Sequence, residues 1–182
     1  MTSWASEAIN HGALQSYYEL ERLLAYLKPL EPKSIVEIGC DAGGTLYAWM
    51  QFIPKVIGID LPMAEYCSGK PLHSYGAEVI LGNSHDEKTK QQLLDYLNGE
   101  RVDILFIDGD HSYEGVKQDF EMYRDVVQDN GLVIFHDIGG NEILCKGVCK
   151  FWCELKEQYS YIEFCEPKSW AGIGVLNVGE RT

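Results

Sequence analysis

The sequence predicts an α/β protein: a mixed seven-stranded sheet with helices on both faces and an antiparallel strand pair at its C-terminal end. Three observations predict it. Short apolar segments alternate with helical stretches of about 10–15 residues, the pattern of a parallel sheet. The segment from Val102 to Ile107 is almost uniformly apolar, as a strand covered on both faces must be. The last two strand-like segments, Tyr161 to Phe164 and Ile173 to Val178, have no helix between them and pair as a hairpin on the sheet edge.

In chain order, residues 1–13 read as a loose leader. Leu14, Tyr17, Tyr18, Leu20, Leu23, Leu24 and Leu27 form one stripe of a helix that Pro29 and Pro32 stop. Ser34 to Ile38 is the first strand and ends in Gly39. A helix from about Thr45 to Phe52 leads to a second strand, Lys55 to Ile59, and then to Asp60. The mixed segment from Met63 to Tyr75 reads as helix or loop. Ala77 to Leu81 is the third strand, and a helix from about Asp86 to Leu97 ends at Asn98-Gly99. The fourth strand is Val102–Ile107, followed by a helix from about Tyr113 to Val127. A turn at Asn130-Gly131 then opens the fifth strand, Leu132 to Phe135. A helix near Ile143–Gln158 precedes the closing pair. The chain divides into a leader and helix over 1–33 and a single ligand-binding domain over 34–182.

Composition narrows the function. A chain of 182 residues with 46% hydrophobic side chains has material for one core. The formal net charge of −13, from 28 acidic against 15 basic residues, sets it against phosphate backbones and anionic membranes. The longest basic candidate, Lys88-Thr-Lys90, is too short to reverse that, so nucleic acid is not the expected partner. Neither a basic-then-apolar leader nor about 20 consecutive apolar residues is visible, which makes the cytoplasm the expected location and the six cysteines thiols.

Function is read from the strand ends, because open α/β sheets bind ligands at the carboxyl edge. The first end reads Glu37-Ile-Gly-Cys-Asp-Ala-Gly-Gly44. Its Gly39-x-x-x-Gly43 spacing differs from the Gly-x-Gly-x-x-Gly of a dinucleotide cradle, and no Gly-Lys-Ser/Thr follows. An NAD-linked oxidoreductase and a phosphate-binding loop are therefore disfavoured. The second strand ends at Asp60, where a carboxylate accepts both hydroxyls of an adenosine ribose or simply caps the strand. The third ends in Gly82-Asn-Ser-His-Asp86: Asn83 and Ser84 can border an adenine ring, Ser84 can cap the next helix, and His85 reads as a surface residue. The fourth and fifth end in Asp108-Gly-Asp-His111 and His136-Asp137. Asp108, His136 and Asp137 supply oxygen and nitrogen donors suited to Mg²⁺, Mn²⁺ or another divalent ion, with imidazole favouring transition metals. His111 suits a general base.

Cys145, Cys149 and Cys153 recur every fourth position, with Cys165 beyond. They read as core packing rather than a zinc site, as do Trp152, Tyr161 and Phe164. Trp170 lies in a Ser-Trp-Ala-Gly loop and is a candidate substrate-facing aromatic.

With these residues in place, the chain resembles the Rossmann-like class I S-adenosylmethionine-dependent methyltransferases. It looks closest to metal-dependent small-molecule O-methyltransferases of the catechol type and their macrolide-sugar and cephalosporin-hydroxylase-like relatives. The likeness covers about residues 34–178. It rests on Val36 to Gly44, Gly58-Ile-Asp60, the run from Phe106 to Asp119, and Gly131 to Asp137. The closing strands match the family's final antiparallel pair. The resemblance implies that Glu37 and Gly39 lie along the methionine part of the cofactor, that Asp60 holds the ribose, and that Asn83 and Ser84 border the adenine. Asp41, Gly43 and Asp108 complete the cofactor-binding set. It further implies a metal triad of Asp108, His136 and Asp137, usually with Mg²⁺, and His111 as catalytic base beside Asp108. Relatives carry an oxygen ligand where this chain has His136, which shifts preference toward Mn²⁺ or iron or leaves His136 out of the shell. The lead-in before Ser34 is short, so the pocket is open or closed by a second copy in a homo-oligomer.

The expected function is methyl transfer to a small-molecule hydroxyl assisted by a divalent metal. The alternative is a non-catalytic ligand-binding protein that retains the fold.

Overall fold

The computed structural model describes residues 3–62, 67–139, 146–167 and 171–181. Its helices are α1 (Trp4–Asn10), α2 (Tyr17–Leu27), α3 (Gly44–Trp49), α4 (Glu87–Leu97), α5 (Tyr113–Tyr123) and α6 (Lys146–Lys156). Its strands are β1 (Ser34–Ile38), β2 (Lys55–Asp60), β3 (Glu78–Leu81), β4 (Val102–Ile107), β5 (Val127–His136), β6 (Tyr159–Phe164) and β7 (Ile173–Arg181). They form one seven-stranded sheet in the order β3-β2-β1-β4-β5-β7-β6. The first five strands run parallel, and β7 pairs antiparallel with both β5 and β6. The expected mixed sheet and closing hairpin are both present. The hairpin is inserted so that β7 joins β5 and β6 forms the edge.

Successive residues of the central strands serve opposite faces, as the two-residue strand period requires. Val36, Leu105 and Ile107 pack with α4, α5 and α6 in one core; Ile35, Ile104 and Phe106 pack with α1, α2 and α3 in the other. This double burial explains why β4 reads as an almost uniformly apolar run.

Several expectations are corrected. Residues 3–13, expected as part of a loose leader, are ordered by α1: Ser3 caps it by accepting from the Ser6 amide, and Ala5 and Ala8 are buried in the α3-side core. Helix α2 begins at Tyr17, and Leu14, Tyr17 and Tyr18 are exposed rather than part of its buried stripe. The helix after Tyr113 gives way to a 3₁₀ turn at Arg124–Val126. Asn130-Gly131 then lies inside β5, where a shift in register against β4 absorbs the bend expected to be a turn. Residues 67–75 form turns and loop without helix, while 63–66 lie outside the described residues. Trp152 and Phe164 are core, but Tyr161 is exposed on the edge strand. Cys153 and Cys165 are exposed and Cys149 half-buried, so the cysteine stripe is not core; Cys145 and Trp170 lie outside the described residues. The described cysteines are free thiols.

Candidate active site

The glycine turn between β1 and α3 is shaped by what crowds it. Gly39 (φ +84°) and Gly43 (φ +84°) adopt the left-handed conformation that other residues reach only with strain. A Cβ on Gly39 would overlap the Asp108 carbonyl at the end of β4, and one on Gly43 would overlap the His73 carbonyl. The turn is thus wedged between β4 and the 67–76 loop. The Asp41 carboxylate accepts from the Ser68 amide (3.0 Å), and the His73 amide donates to the Ala42 carbonyl (3.1 Å).

Beneath the turn, Glu37 is fully buried. Thr45 Oγ1 donates to one of its oxygens and Trp49 Nε1 to the other (2.9 Å). Burial, opposed by these two bonds, pushes its carboxyl pKa up to about 8. Glu37 supports the turn from the α3 side, with both oxygens engaged inside the protein.

Asp60 ends β2 with a carboxylate that accepts from the amides of Cys40 (2.7 Å), Asp41 (2.7 Å) and Leu61 (2.6 Å). Partial burial outweighs these bonds and raises its pKa. Three of about four acceptor positions are used, so Asp60 ties β2 to the glycine turn and keeps limited capacity for a ligand hydroxyl.

At the third strand end, Asn83 Oδ1 accepts from the His85 amide (3.0 Å), and the Ser84 carbonyl accepts from Tyr123 Oη (2.8 Å). The residue at the cap of α4 is Asp86, not Ser84. His85 is not a plain surface residue either: its Nε2 lies 3.2 Å from Oδ1 of Asp119, a wholly buried acid on α5 whose pKa burial raises to about 6. The Asp119 pairing was not foreseen, although that residue closes the Phe106–Asp119 motif.

The fourth and fifth strand ends converge. His111 Nε2 lies 3.5 Å from Asp108 Oδ1, and its Nδ1 lies 3.2 Å from Asp137 Oδ2. His136 Nδ1 lies 3.1 Å from Asp108 Oδ1 and 3.3 Å from Asp137 Oδ1. Two imidazoles therefore meet the same two carboxylates, His136 from the buried interior and His111 from the more open side. Burial opposes charge on His136, but the adjacent acids prevail and lift its pKa to about 10. Burial likewise works to raise Asp108, yet the charges and hydrogen bonds of His136 and His111 hold it below the usual carboxylate range. The hydrogen bond to Asp108 leads the rise at His111. Asp137 is almost fully buried, carries φ +63°, and neither of its oxygens accepts a well-aligned hydrogen bond. A non-glycine residue held there, with such oxygens, makes Asp137 a candidate functional position.

The donor atoms of Asp108, His111 and Asp137 lie within 4.8 Å of one another. That grouping puts His111 where the sequence reading had put His136. A further residue reaches the cluster unannounced: Gln15 Nε2 donates to Asp108 Oδ2 (2.7 Å) from the α1–α2 connection. The short lead-in is thus itself a wall of the site. The amide of Ala13 and the carbonyl of Ala8 sit where a side chain on Gly44 would be.

A methyltransferase-domain family model matches residues 36–138, more than half of the chain, and the chain belongs to that family. Among curated proteins it is 37% identical over 113 residues to an uncharacterized protein, R132, of Acanthamoeba polyphaga mimivirus; the match covers 56% of this chain and 50% of that protein. It is 27% identical over 143 residues to an uncharacterized protein, y4gI, of Sinorhizobium fredii, covering 69% of this chain and 15% of that protein. The match thus spans half or less of either relative. Among solved structures, the O-methyltransferase TomG of Streptomyces achromogenes, in complex with SAM, superposes with TM-score 0.64 at 15% identity, over 98% of this chain and 90% of that one. MycE, in complex with Mg, SAH and mycinamycin VI, superposes with TM-score 0.66 at 14% identity, over 98% and 55%. At such identities these likenesses establish the shared fold.

Proposed function

We propose that the protein transfers a methyl group from S-adenosylmethionine to a hydroxyl of a small molecule. The observation that carries this reading is the placement of His111 between Asp108 and Asp137, at the ends of two adjacent strands and beside the glycine turn. The most open of the four clustered side chains is the one that can take a proton from an entering hydroxyl. Asp108 and Asp137 fix its ring and balance the charge it gains, and His136 holds both acids from behind. The glycine turn, Asp41, Asp60 and the Asn83–Ser84 edge provide the wall for an adenosyl cofactor, which supplies an electrophilic methyl group when bound. TomG with SAM and MycE with SAH support that cofactor by analogy of fold. The reading extends to a cytoplasmic enzyme. The net charge of −13 supports a small-molecule acceptor over nucleic acid, and among the described residues no helix is long and apolar enough to cross a membrane.

One observation favours a divalent ion as well: the buried oxygens of Asp137 accept no well-aligned hydrogen bond and face the same centre as Asp108 and His111. These three residues would hold Mg²⁺ or Mn²⁺, which supplies Lewis acidity toward a substrate oxygen. The test is calorimetric titration of S-adenosylmethionine, then turnover against a panel of catechols and sugar hydroxyls with added Mg²⁺ or with chelator. Binding at micromolar cofactor followed by methylation supports the reading; no binding at millimolar cofactor sinks it. Turnover that persists in chelator means that the reaction does not need the ion.

A further inference from the structure

The α1–α2 connection delivers one polar side chain into the site from 93 residues away, and half of its amide has nothing to bond. Gln15 is nine-tenths buried. Its two ends can be told apart by chemistry. An ionised carboxylate only accepts, so the group 2.7 Å from Asp108 Oδ2 must be the NH₂. The carbonyl Oε1 therefore points elsewhere, and it is buried with no partner among the described residues. A buried acceptor without a donor is costly and calls for a ligand that brings one.

Two further facts say which donor. The Asp108 carboxylate, bonded to the same amide, offers a second, anionic acceptor beside Oε1. Asp108 also packs its carbonyl against Gly39, which puts Gln15 at the β1–β4 junction next to the glycine turn. A cation with several N–H donors fits both facts better than a neutral hydroxyl, which would satisfy Oε1 without using the charge. The adenosyl cofactor has one such group, the α-ammonium of its amino-acid portion.

We propose that Gln15 is a cofactor-binding residue whose Oε1 accepts a hydrogen bond from the α-ammonium of S-adenosylmethionine, while its NH₂ keeps Asp108 turned toward the histidines. This rests on the methyltransferase reading above. It gives the N-terminal segment a role in recognising the cofactor rather than only covering it.

The test is calorimetry of the full chain with S-adenosylhomocysteine and with its analogue lacking the α-amino group, for the unchanged protein and for Gln15→Met and Gln15→Leu. Met matches the length of Gln without its polar atoms. The expected result is that both variants bind S-adenosylhomocysteine about 10- to 100-fold more weakly, the worth of a hydrogen bond to a charged group, and bind the deaminated analogue as the unchanged protein does. Equal loss for both ligands, or none for either, overturns the proposal while leaving the cofactor reading intact. So does a defect confined to the KM of the methyl acceptor. Failure of the unchanged protein to bind S-adenosylhomocysteine overturns the cofactor reading and this inference with it.

Discussion

Gly39 and Asp108 are in backbone contact: the carbonyl of Asp108 occupies the volume that any side chain at position 39 would need. The contact links β1 to β4 at the edge where the chemistry is expected, since the Asp108 amide also donates to the Ile38 carbonyl (2.8 Å). Gly39→Ala forces a Cβ into backbone that cannot yield and imposes φ +84° on an L-residue. The expected cost is about 3 kcal/mol or more, or roughly 6–12 °C in Tm for a chain of this size. Thermal melting followed by circular dichroism measures it. A melting point within 2 °C of the unchanged protein, on the order of 1 kcal/mol or less, would mean that the contact is not tight in solution.

Glu37 makes stability fall with rising pH. Its carboxyl titrates near 4.5 when exposed and near 8 when buried under the turn. Between those values the folded chain binds a proton that the unfolded chain has released, so the contribution is full below about 4.5 and is lost as pH rises through 8. Gln at this position keeps an acceptor and a donor for Trp49 and Thr45 and removes the titration. The expected outcome is that the Tm of Glu37→Gln minus that of the unchanged protein grows from pH 5 to pH 8, by roughly 3–6 °C per pH unit at its steepest. A pH-independent difference would place an ionised Glu37 in the fold throughout.

The extent to which the sequence revealed this architecture follows from the range of the interactions involved. β1 and β4 coincide with the segments expected, because strands buried on both faces carry their signal in their own residues. The strand-end acids were legible for the same reason: once the strands are placed, Asp60, Asp108 and Asp137 must stand at one edge. Helix α1 was not legible. Its fully buried residues are small, Ala5 and Ala8, and they reach the core because Gly44 lets the backbones approach closely. Gln15 was hidden too, lying between Leu14 and Tyr17 in what read as an apolar stripe, with its partner 93 residues on. The Asn130-Gly131 pair carried a true turn signal that the β4–β5 register shift converted into a bulge.

Glu19 clamps the closing hairpin to the N-terminal half. Wholly buried on α2, it accepts from the Glu166 amide (2.9 Å) through Oε1 and from the Gly172 amide (3.0 Å) through Oε2. Glu19→Ala would leave the buried Gly172 amide and the part-buried Glu166 amide without acceptors, at about 1–3 kcal/mol for the buried one and less for the other. Glu19→Gln restores one of them, since an amide has a single accepting oxygen. Melting points should therefore rank the unchanged protein above Gln and Gln above Ala. Hydrogen exchange should show lost protection at the Glu166 and Gly172 amides before the β1–β4 core is affected. Equal melting points for the Ala and Gln variants would mean that Glu19 acts through packing instead.

His111 is the side chain on which the proposed proton transfer depends. If its imidazole takes the hydroxyl proton, then His111→Asn should lower kcat by about 10²- to 10⁴-fold. Cofactor affinity measured by calorimetry should be unchanged, since the proposed cofactor contacts lie on the glycine turn, Asp60 and Gln15. The pH profile adds a readout that loss of packing would not give. The hydrogen bond to Asp108, opposed by burial, raises the His111 pKa above its ordinary 6.5. The imidazole accepts a proton only when neutral, so turnover in chelator should rise with pH through a value above 6.5 and level off beyond it, and the variant should lose that limb. If turnover in the presence of Mg²⁺ keeps its rate but loses the limb, His111 is ligating the ion rather than accepting the proton. If both rate and limb survive in His111→Asn, the proton leaves by another route, and the Asp108–His111–Asp137 cluster is not where the chemistry occurs.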